Sequence, residues 1–304
     1  MKKKIVPINP LKADEILAVS HLSCVFNSKT NNPIKVIDDF SYTFQKNQIY
    51  CIIGDSGSGK STLVNHFNGL IKPNQGDIWV KDIYIGAKQR KIKNFKKLRK
   101  TISIVFQFPE YQLFKDTVEK DIMFGPVALD QSKYDACQKA AYYLEMMGLK
   151  YPFLERNPFE LSGGQKRRVA IAGILAIEPE ILIFDEPTAG LDPEGEREMM
   201  QLIKTAKQQQ RTVFMITHQM ENVLEVADVV LVLAKGKLVK AASPYEVFMD
   251  QTFLEKTTIV LPPVIQVIKD LIAINAHFNK LIELQPKNLE QLASAINKTI
   301  ANHG

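Results

Sequence analysis

The chain is poor in cysteine, in long apolar runs and in repeats, and each shortage removes a class of protein. Three of its 304 residues are cysteine, Cys24, Cys51 and Cys137. Their spacings form no CxxC pair and leave an odd thiol, which argues against a disulfide scaffold or a zinc site and for a reducing compartment. Uncharged stretches are short: residues 16–28 number 13, and residues 257–268 number 12 and contain Pro262 and Pro263. A membrane-crossing helix needs about 20 apolar residues. The opening MKKKIVPINPLKADE has basic residues with no apolar stretch behind them and predicts no secretory leader. Glycine and proline, 15 each, are too few for a collagen-like chain. No fixed period appears, so solenoids and propellers are out. The remaining mix, 45% apolar and 24% charged, is that of a globular protein with one main domain and room for a small appendage.

The charge is basic: 39 lysine and arginine residues against 33 acidic ones, a net +6. Part of the excess is local. Residues 88–100 read KQRKIKNFKKLRK, eight basic residues in thirteen. Such a block reads first as a solvated, mobile connector, and second as a face for anionic lipid headgroups.

Patterning divides the chain. EILAVSHLSCVF (residues 15–26) and KVIDDFSYTF (35–44) have strand character, with a turn-rich NSKTNNP between them. QIYCII (48–53), TISIVF (101–106), ILIF (181–184), TVFMIT (212–217) and VVLVLA (229–234) are short and nearly all apolar, as strands covered on both faces are. Helical spacing occupies 60–70, 165–177, 194–208 and 220–226. Alternation of this kind predicts an α/β architecture. Residues 111–157 are mostly helical in pattern and interrupt the rhythm, which places a helical insertion there. The segment 251–304 predicts an α-rich appendage, and residues 1–14 an N-terminal extension to a main domain over 15–250.

Three motifs carry chemistry. GDSGSGKS, from Gly54 through Asp55, Ser56, Gly57, Ser58, Gly59 and Lys60 to Ser61, follows an apolar strand and precedes a helix. Its glycines let backbone N–H groups curl around phosphate oxygens, and the following helix adds the positive end of its dipole. Lys60 supplies a point charge for the β- and γ-phosphates, Ser61 a hard oxygen for Mg²⁺, and Thr62 a hydroxyl near the α-phosphate. ILIFDE ends a buried strand in Asp185 and Glu186. Charges there need a reason such as a cation, so Asp185 is assigned to Mg²⁺ and Glu186 to the attacking water. LSGGQ (161–165) opens a helix with Ser162 at the cap position, and Gly163, Gly164 and Gln165 follow. It is a second anion-binding helix start.

In this order the three motifs resemble the nucleotide-binding subunit of an ATP-binding cassette transporter. The resemblance spans residues 15–250 and implies a P-loop NTPase fold: a parallel-sheet core, an antiparallel β subdomain and the helical insertion. It assigns Gln107 to Mg²⁺, the attacking water and the membrane partner. It assigns Asp192 of AGLD to a loop at a dimer interface, His218 to the γ-phosphate and Phe26 to the adenine face. It also implies a head-to-tail dimer, with ATP on Lys60 of one subunit capped by Ser162, Gly163 and Gly164 of the other. FQFPEYQLF, VEKDIMFGP and RNPFELSGGQKRRVAIAGILA narrow the resemblance to the ATPase subunits of energy-coupling factor transporters, importers of vitamins and of cobalt or nickel ions. NPFELSGGQ favours the second A-type paralogue. The implied partners are a second ATPase subunit, a transmembrane coupling subunit and a substrate-binding membrane subunit, at the cytoplasmic face of the cell membrane. Asp55 departs from the family pattern, and its charge weakens phosphate binding unless it points to solvent. Rival readings are the ATPase of another cassette transporter, a non-transport cassette protein acting on nucleic acid or ribosomes, and an ordinary P-loop kinase. No heptad run supports the nucleic-acid reading, and LSGGQ has no place in the kinase one.

Overall fold

A computed structural model describes residues 9–27 and 32–301. The start of the N-terminal extension (1–8), part of the turn-rich segment (28–31) and the last three residues, with His303, lie outside the described residues. The described chain runs β1 (Glu15–Phe26), β2 (Ile34–Gln45), β3 (Ile49–Ile53), α1 (Lys60–Phe67), β4 (Gln75–Val80), β5 (Ile83–Gly86), α2 (Phe95–Thr101) and β6 (Ile102–Val105). The helical insertion follows as α3 (Val118–Ala128) and α4 (Lys133–Met146). Then come α5 (Gly163–Leu175), β7 (Ile181–Asp185), α6 (Pro193–Gln208), β8 (Thr212–Ile216), α7 (Met220–Val226), β9 (Val229–Ala234), β10 (Lys237–Ala242) and α8 (Pro244–Phe248). The C-terminal part holds α9 (Gln251–Leu254), α10 (Pro263–Ile274), α11 (Lys280–Leu284) and α12 (Leu289–Ala301).

Two sheets result. The antiparallel one has the order β2-β1-β4-β5; the larger one has the order β10-β9-β3-β8-β7-β6, parallel except for its edge strand β10. Strand alternation feeds two cores. β3 sends Ile49, Cys51 and Ile53 to one face and Tyr50 and Ile52 to the other. β7 and β8 split likewise: Phe184 and Met215 go with the helical insertion, Ile183 and Phe214 with the antiparallel sheet. The second core closes around Phe214, whose ring lies 4.9 Å from Phe44 and 5.4 Å from Tyr50. The C-terminal helices share the first core, which takes up Val264, Ile265, Ile268, Leu281, Leu292 and Ala295.

The strand readings at 15–26, 35–44, 48–53, 181–184, 212–217 and 229–234 agree with β1, β2, β3, β7, β8 and β9 to within a residue or two. The basic run differs from its first reading. Its second half is α2, which buries Leu98 and Thr101, so it is not a mobile connector throughout.

Candidate nucleotide site

Register brings the motifs to one edge. Ile52 of β3 faces Ile216 of β8, and Ile216 faces Asp185 of β7. Phe184 in turn faces Val105 at the end of β6. The segments leaving these strands therefore start side by side: Gly54 after β3, Glu186 after β7, His218 after β8 and Gln107 after β6. This is the carboxyl edge at which open parallel sheets bind ligands.

The loop after β3 needs its glycines. A Cβ on Gly54 (φ 142°) would lie 2.0 Å from the Leu233 carbonyl oxygen, and one on Gly59 (φ 100°) 2.7 Å from that of Val36. Neither backbone group can move aside without breaking the packing of β9 or β2. Helix α1 begins at Lys60, and Lys60 is 7% exposed. Its Nζ donates to the Gly54 carbonyl at 2.7 Å and to the Asp55 carbonyl at 2.9 Å. Burial pulls the Lys60 ammonium below its ordinary range, while the carboxylates of Glu186, Asp185 and Asp55 oppose that shift.

A cavity of about 490 Å³ opens above the loop, lined by Ser56, Gly57, Gly59, Lys60, Ser61, Thr62, Gln107, Asp185, Glu186 and His218, with Val36 and Ile216. Ser61 Oγ donates to Asp185 Oδ1 at 3.2 Å. Glu186 adopts a left-handed backbone (φ 50°), and its N–H donates to the Ile216 carbonyl at 2.9 Å. Its Oε1 lies 3.2 Å from His218 Nε2. Burial raises the Asp185 carboxyl, against the Ser61 hydrogen bond and Lys60. Burial and the neighbouring Asp185 charge raise Glu186. Burial and the Lys60 charge lower His218, favouring the neutral imidazole. A carboxylate held among apolar strands with a hydroxyl beside it and an amide on the same wall is an all-oxygen donor set that suits a hard cation. Ser61, Asp185 and Gln107 thus fit Mg²⁺.

Gly54, Asp55 and Ser56 also line a second cavity of about 360 Å³, with His218 and Lys256 to Val260 from the C-terminal part. Asp55 does not point to solvent alone: the Thr258 hydroxyl donates to its carboxylate. Ser58 lies buried under the loop.

The other candidates lie elsewhere. Ser162 caps α5, accepting from the Gln165 N–H at 3.3 Å, while Gln165 Oε1 accepts from the Ser162 N–H at 3.1 Å. This capping box occupies the Gln165 side chain within its own chain. Ser162, Gly163 and Gly164 are exposed, and a Cβ on either glycine would meet nothing within 4 Å. None of the four lines the cavity above Lys60. Asp192 caps α6, accepting from the Gly195 N–H at 2.8 Å. Phe26 ends β1, 40% exposed, and does not line the cavity either.

Two positioning residues escaped the sequence reading. Arg167 is buried and donates to the Ala189 carbonyl at 3.1 Å and to the Pro187 carbonyl, bracing the turn after Glu186. Its signal was present: it precedes Ala170 and Ile171 by three and four residues, on the apolar stripe of α5. Gln219 follows His218. Its Oε1 accepts from Thr188, and from Asn222 at 2.7 Å, and Asn222 also donates to Glu196 at 2.7 Å. The loops carrying Glu186 and His218 are thereby tied to each other and to α6.

A family profile described as ABC transporter matches residues 37–189. The energy-coupling factor transporter ATP-binding protein EcfA2 of Mycoplasma genitalium is 99% identical over 304 residues, covering 100% of both chains. This chain belongs to the ABC transporter family, among its energy-coupling factor ATP-binding proteins. The EcfA2 protein of Mycoplasma pneumoniae is 79% identical, over 99% of this chain and 100% of that one. Among solved ABC structures, cbiO1 from Clostridium perfringens, part of the transporter complex cbiONQ, has a TM-score of 0.68 and 34% identity over 84% of this chain and 99% of its own. The dimeric cassette MJ0796, bound to ADP and Pi in a post-hydrolysis state, has a TM-score of 0.66 and 25% identity over 75% of this chain and 99% of its own. The family and fold expected from the P-loop, LSGGQ and ILIFDE are borne out.

Proposed function

We propose that this chain binds and hydrolyses ATP as the energising subunit of an energy-coupling factor importer, with its P-loop on one nucleotide and its LSGGQ helix on another. One observation carries the reading: Lys60, Ser61, Asp185, Glu186 and His218 share a cavity from which Ser162, Gly163 and Gly164 are absent. A second subunit, facing head to tail, would bring its own LSGGQ to complete the site.

In that assembly the P-loop N–H groups and Lys60 take the phosphates, and Lys60 exchanges the Gly54 and Asp55 carbonyls for phosphate oxygens. Ser61, Asp185 and Gln107 would hold Mg²⁺, which when bound would supply positive charge against the charge developing on the phosphates. Glu186 orients the attacking water and receives its proton; the single N–H of the neutral His218 ring passes from Glu186 to the γ-phosphate when nucleotide is bound. ATP touches both subunits only when they are closed, so it favours closure by its differential affinity for that state, and loss of the γ-phosphate removes the bridge. Stacking of Phe26 on adenine and placement of Asp192 at the dimer interface belong to the same reading.

Among the described residues no helix is long and apolar enough to cross a membrane. The translocation path is therefore assigned to partners, a transmembrane coupling subunit and a substrate-binding membrane subunit, with this chain at the cytoplasmic face and vitamins or cobalt or nickel ions as cargo. Exposed aromatics on the helical insertion support a protein partner there: Tyr111 is 83% exposed, and the Phe114 and Phe124 rings meet edge to face at 4.8 Å with Lys115 over both. The division into a cassette (15–250) and a C-terminal part (251–304) that helps pair the ATPase subunits is part of this proposal.

The test is ATP binding and turnover by two variants. Glu186→Gln should bind ATP and hydrolyse it at least about a hundredfold more slowly, and Lys60→Ala should bind poorly. Near-normal hydrolysis by both would overturn the mechanism.

A further inference from the structure

The basic run is built into a surface. Between Lys88 and Lys100 stand eight basic residues and no acidic one. Lys96 meets Asp130 and Lys97 meets Asp82, each at 2.6 Å. Arg90, Lys91, Lys93 and Lys100 are exposed on the same segment. Lys72, from the turn after α1, joins them. Its Nζ donates to the Gln89 carbonyl, so the connector is held against that turn. The contact is close: a Cβ on Gly69 would lie 2.7 Å from Ile92 and 3.0 Å from Leu98. Apolar side chains stand among the charges, Phe95 being 44% and Leu70 47% exposed. The Arg99 guanidinium lies 4.7 Å from the Phe95 ring centroid.

We propose that this patch, on the turns flanking the antiparallel sheet, docks directly on anionic phospholipid headgroups. Unmatched cations gather near a negative leaflet, and an exposed phenyl ring flanked by them can insert at the headgroup boundary. The clustering is one-sided, and the carboxylates that do meet the segment, Asp82 and Asp130, are already paired with Lys97 and Lys96. Membership in a transporter family puts a membrane close by and favours lipid over nucleic acid as the polyanion. The inference goes beyond the reading above, which requires protein partners alone and says nothing of lipid contact.

Vesicle sedimentation of the purified full chain tests it, with phosphatidylcholine vesicles containing about 30% phosphatidylglycerol set against pure phosphatidylcholine. Binding should require the anionic lipid and fall as salt rises. The triple substitution Arg90→Glu, Lys91→Glu and Lys93→Glu should weaken partitioning by about fivefold or more per residue, with ATP turnover retained as the check on folding and on the nucleotide reading. Phe95→Ser should weaken partitioning in the same assay with the charges intact. Equal binding of the wild-type chain to both vesicle types would overturn the proposal without touching the ATPase assignment. So would stronger salt-sensitive binding to duplex DNA or RNA than to the anionic vesicles, or a triple variant that turns over ATP and partitions like wild type.

Discussion

The Thr258 hydroxyl donates a hydrogen bond to the Asp55 carboxylate, joining the C-terminal part to the phosphate loop across 203 residues of sequence. Asp55 otherwise adds a negative charge where a triphosphate must sit. The hydroxyl gives that carboxylate a donor and turns it toward the C-terminal segment.

Thr258→Val removes the donor and leaves the shape. ATP affinity should fall about two- to fivefold, because the released carboxylate then faces phosphate at effective dielectric constants well below that of water. Asp55→Asn should match wild type or bind more tightly by a similar factor. Isothermal titration with ATP checks both, and hydrogen exchange over 255–261 should rise in Thr258→Val alone.

Gly164→Asp separates the role of the LSGGQ helix in its own fold from its role toward a partner. Its Cβ position is open within the chain, so the variant should keep its melting temperature and its single-chain ATP binding. Turnover should fall at least about a hundredfold, through charge placed against the phosphates of the neighbouring site. Retained turnover would count against a composite site.

Arg167→Lys should destabilise by about 3 kcal/mol, since one shorter ammonium replaces a planar fork whose Nη1 and Nη2 each serve a separate carbonyl, Ala189 and Pro187, and a buried acceptor loses its donor. Thermal unfolding checks this. The turn that Arg167 braces follows Glu186, so kcat should fall with little change in the KM for ATP.

His66 makes stability depend on pH. The ring is fully buried in α1, its Nδ1 lies 2.7 Å from the Thr62 carbonyl, and burial pulls its pKa below the usual 6.5. The unfolded chain takes up this proton first as pH falls. The contribution of neutral His66 is therefore complete above about pH 6.5 and lost progressively as pH falls toward the folded value. Melting temperatures of wild type should decline over that window more steeply than those of His66→Gln.

The parallel strands were legible because each is a short run of apolar residues covered on both faces, and the site was legible because its residues leave those strands in register. β4, β5 and β10 were not foreseen. GDIWV carries an acidic residue and a glycine, and the β4–β5 turn uses Lys81 in a left-handed conformation where Asn-Gly would have signalled a hairpin. β10 reads KLVKAA, an edge strand with Lys237 exposed and Lys240 turned onto Asp250 and the Phe253 ring, and such a strand lacks an apolar signature. Arg167 showed only as a charge on a buried stripe, with its carbonyl partners unspecified, and Gln219 was missed because its partners, the Thr188 hydroxyl and the Asn222 amide, belong to no motif. The contact of Asp55 with Thr258 depends on how the C-terminal helices fold back, and sequence spacing does not encode that return.

Lys60 gives its ammonium to two carbonyls of its own loop, so the glycine turn and the head of α1 are stapled together from within. The amine is therefore a brace for the turn as well as a charge. Lys60→Ala strips out both at once, and its effect on nucleotide binding combines a lost cation with a loosened loop.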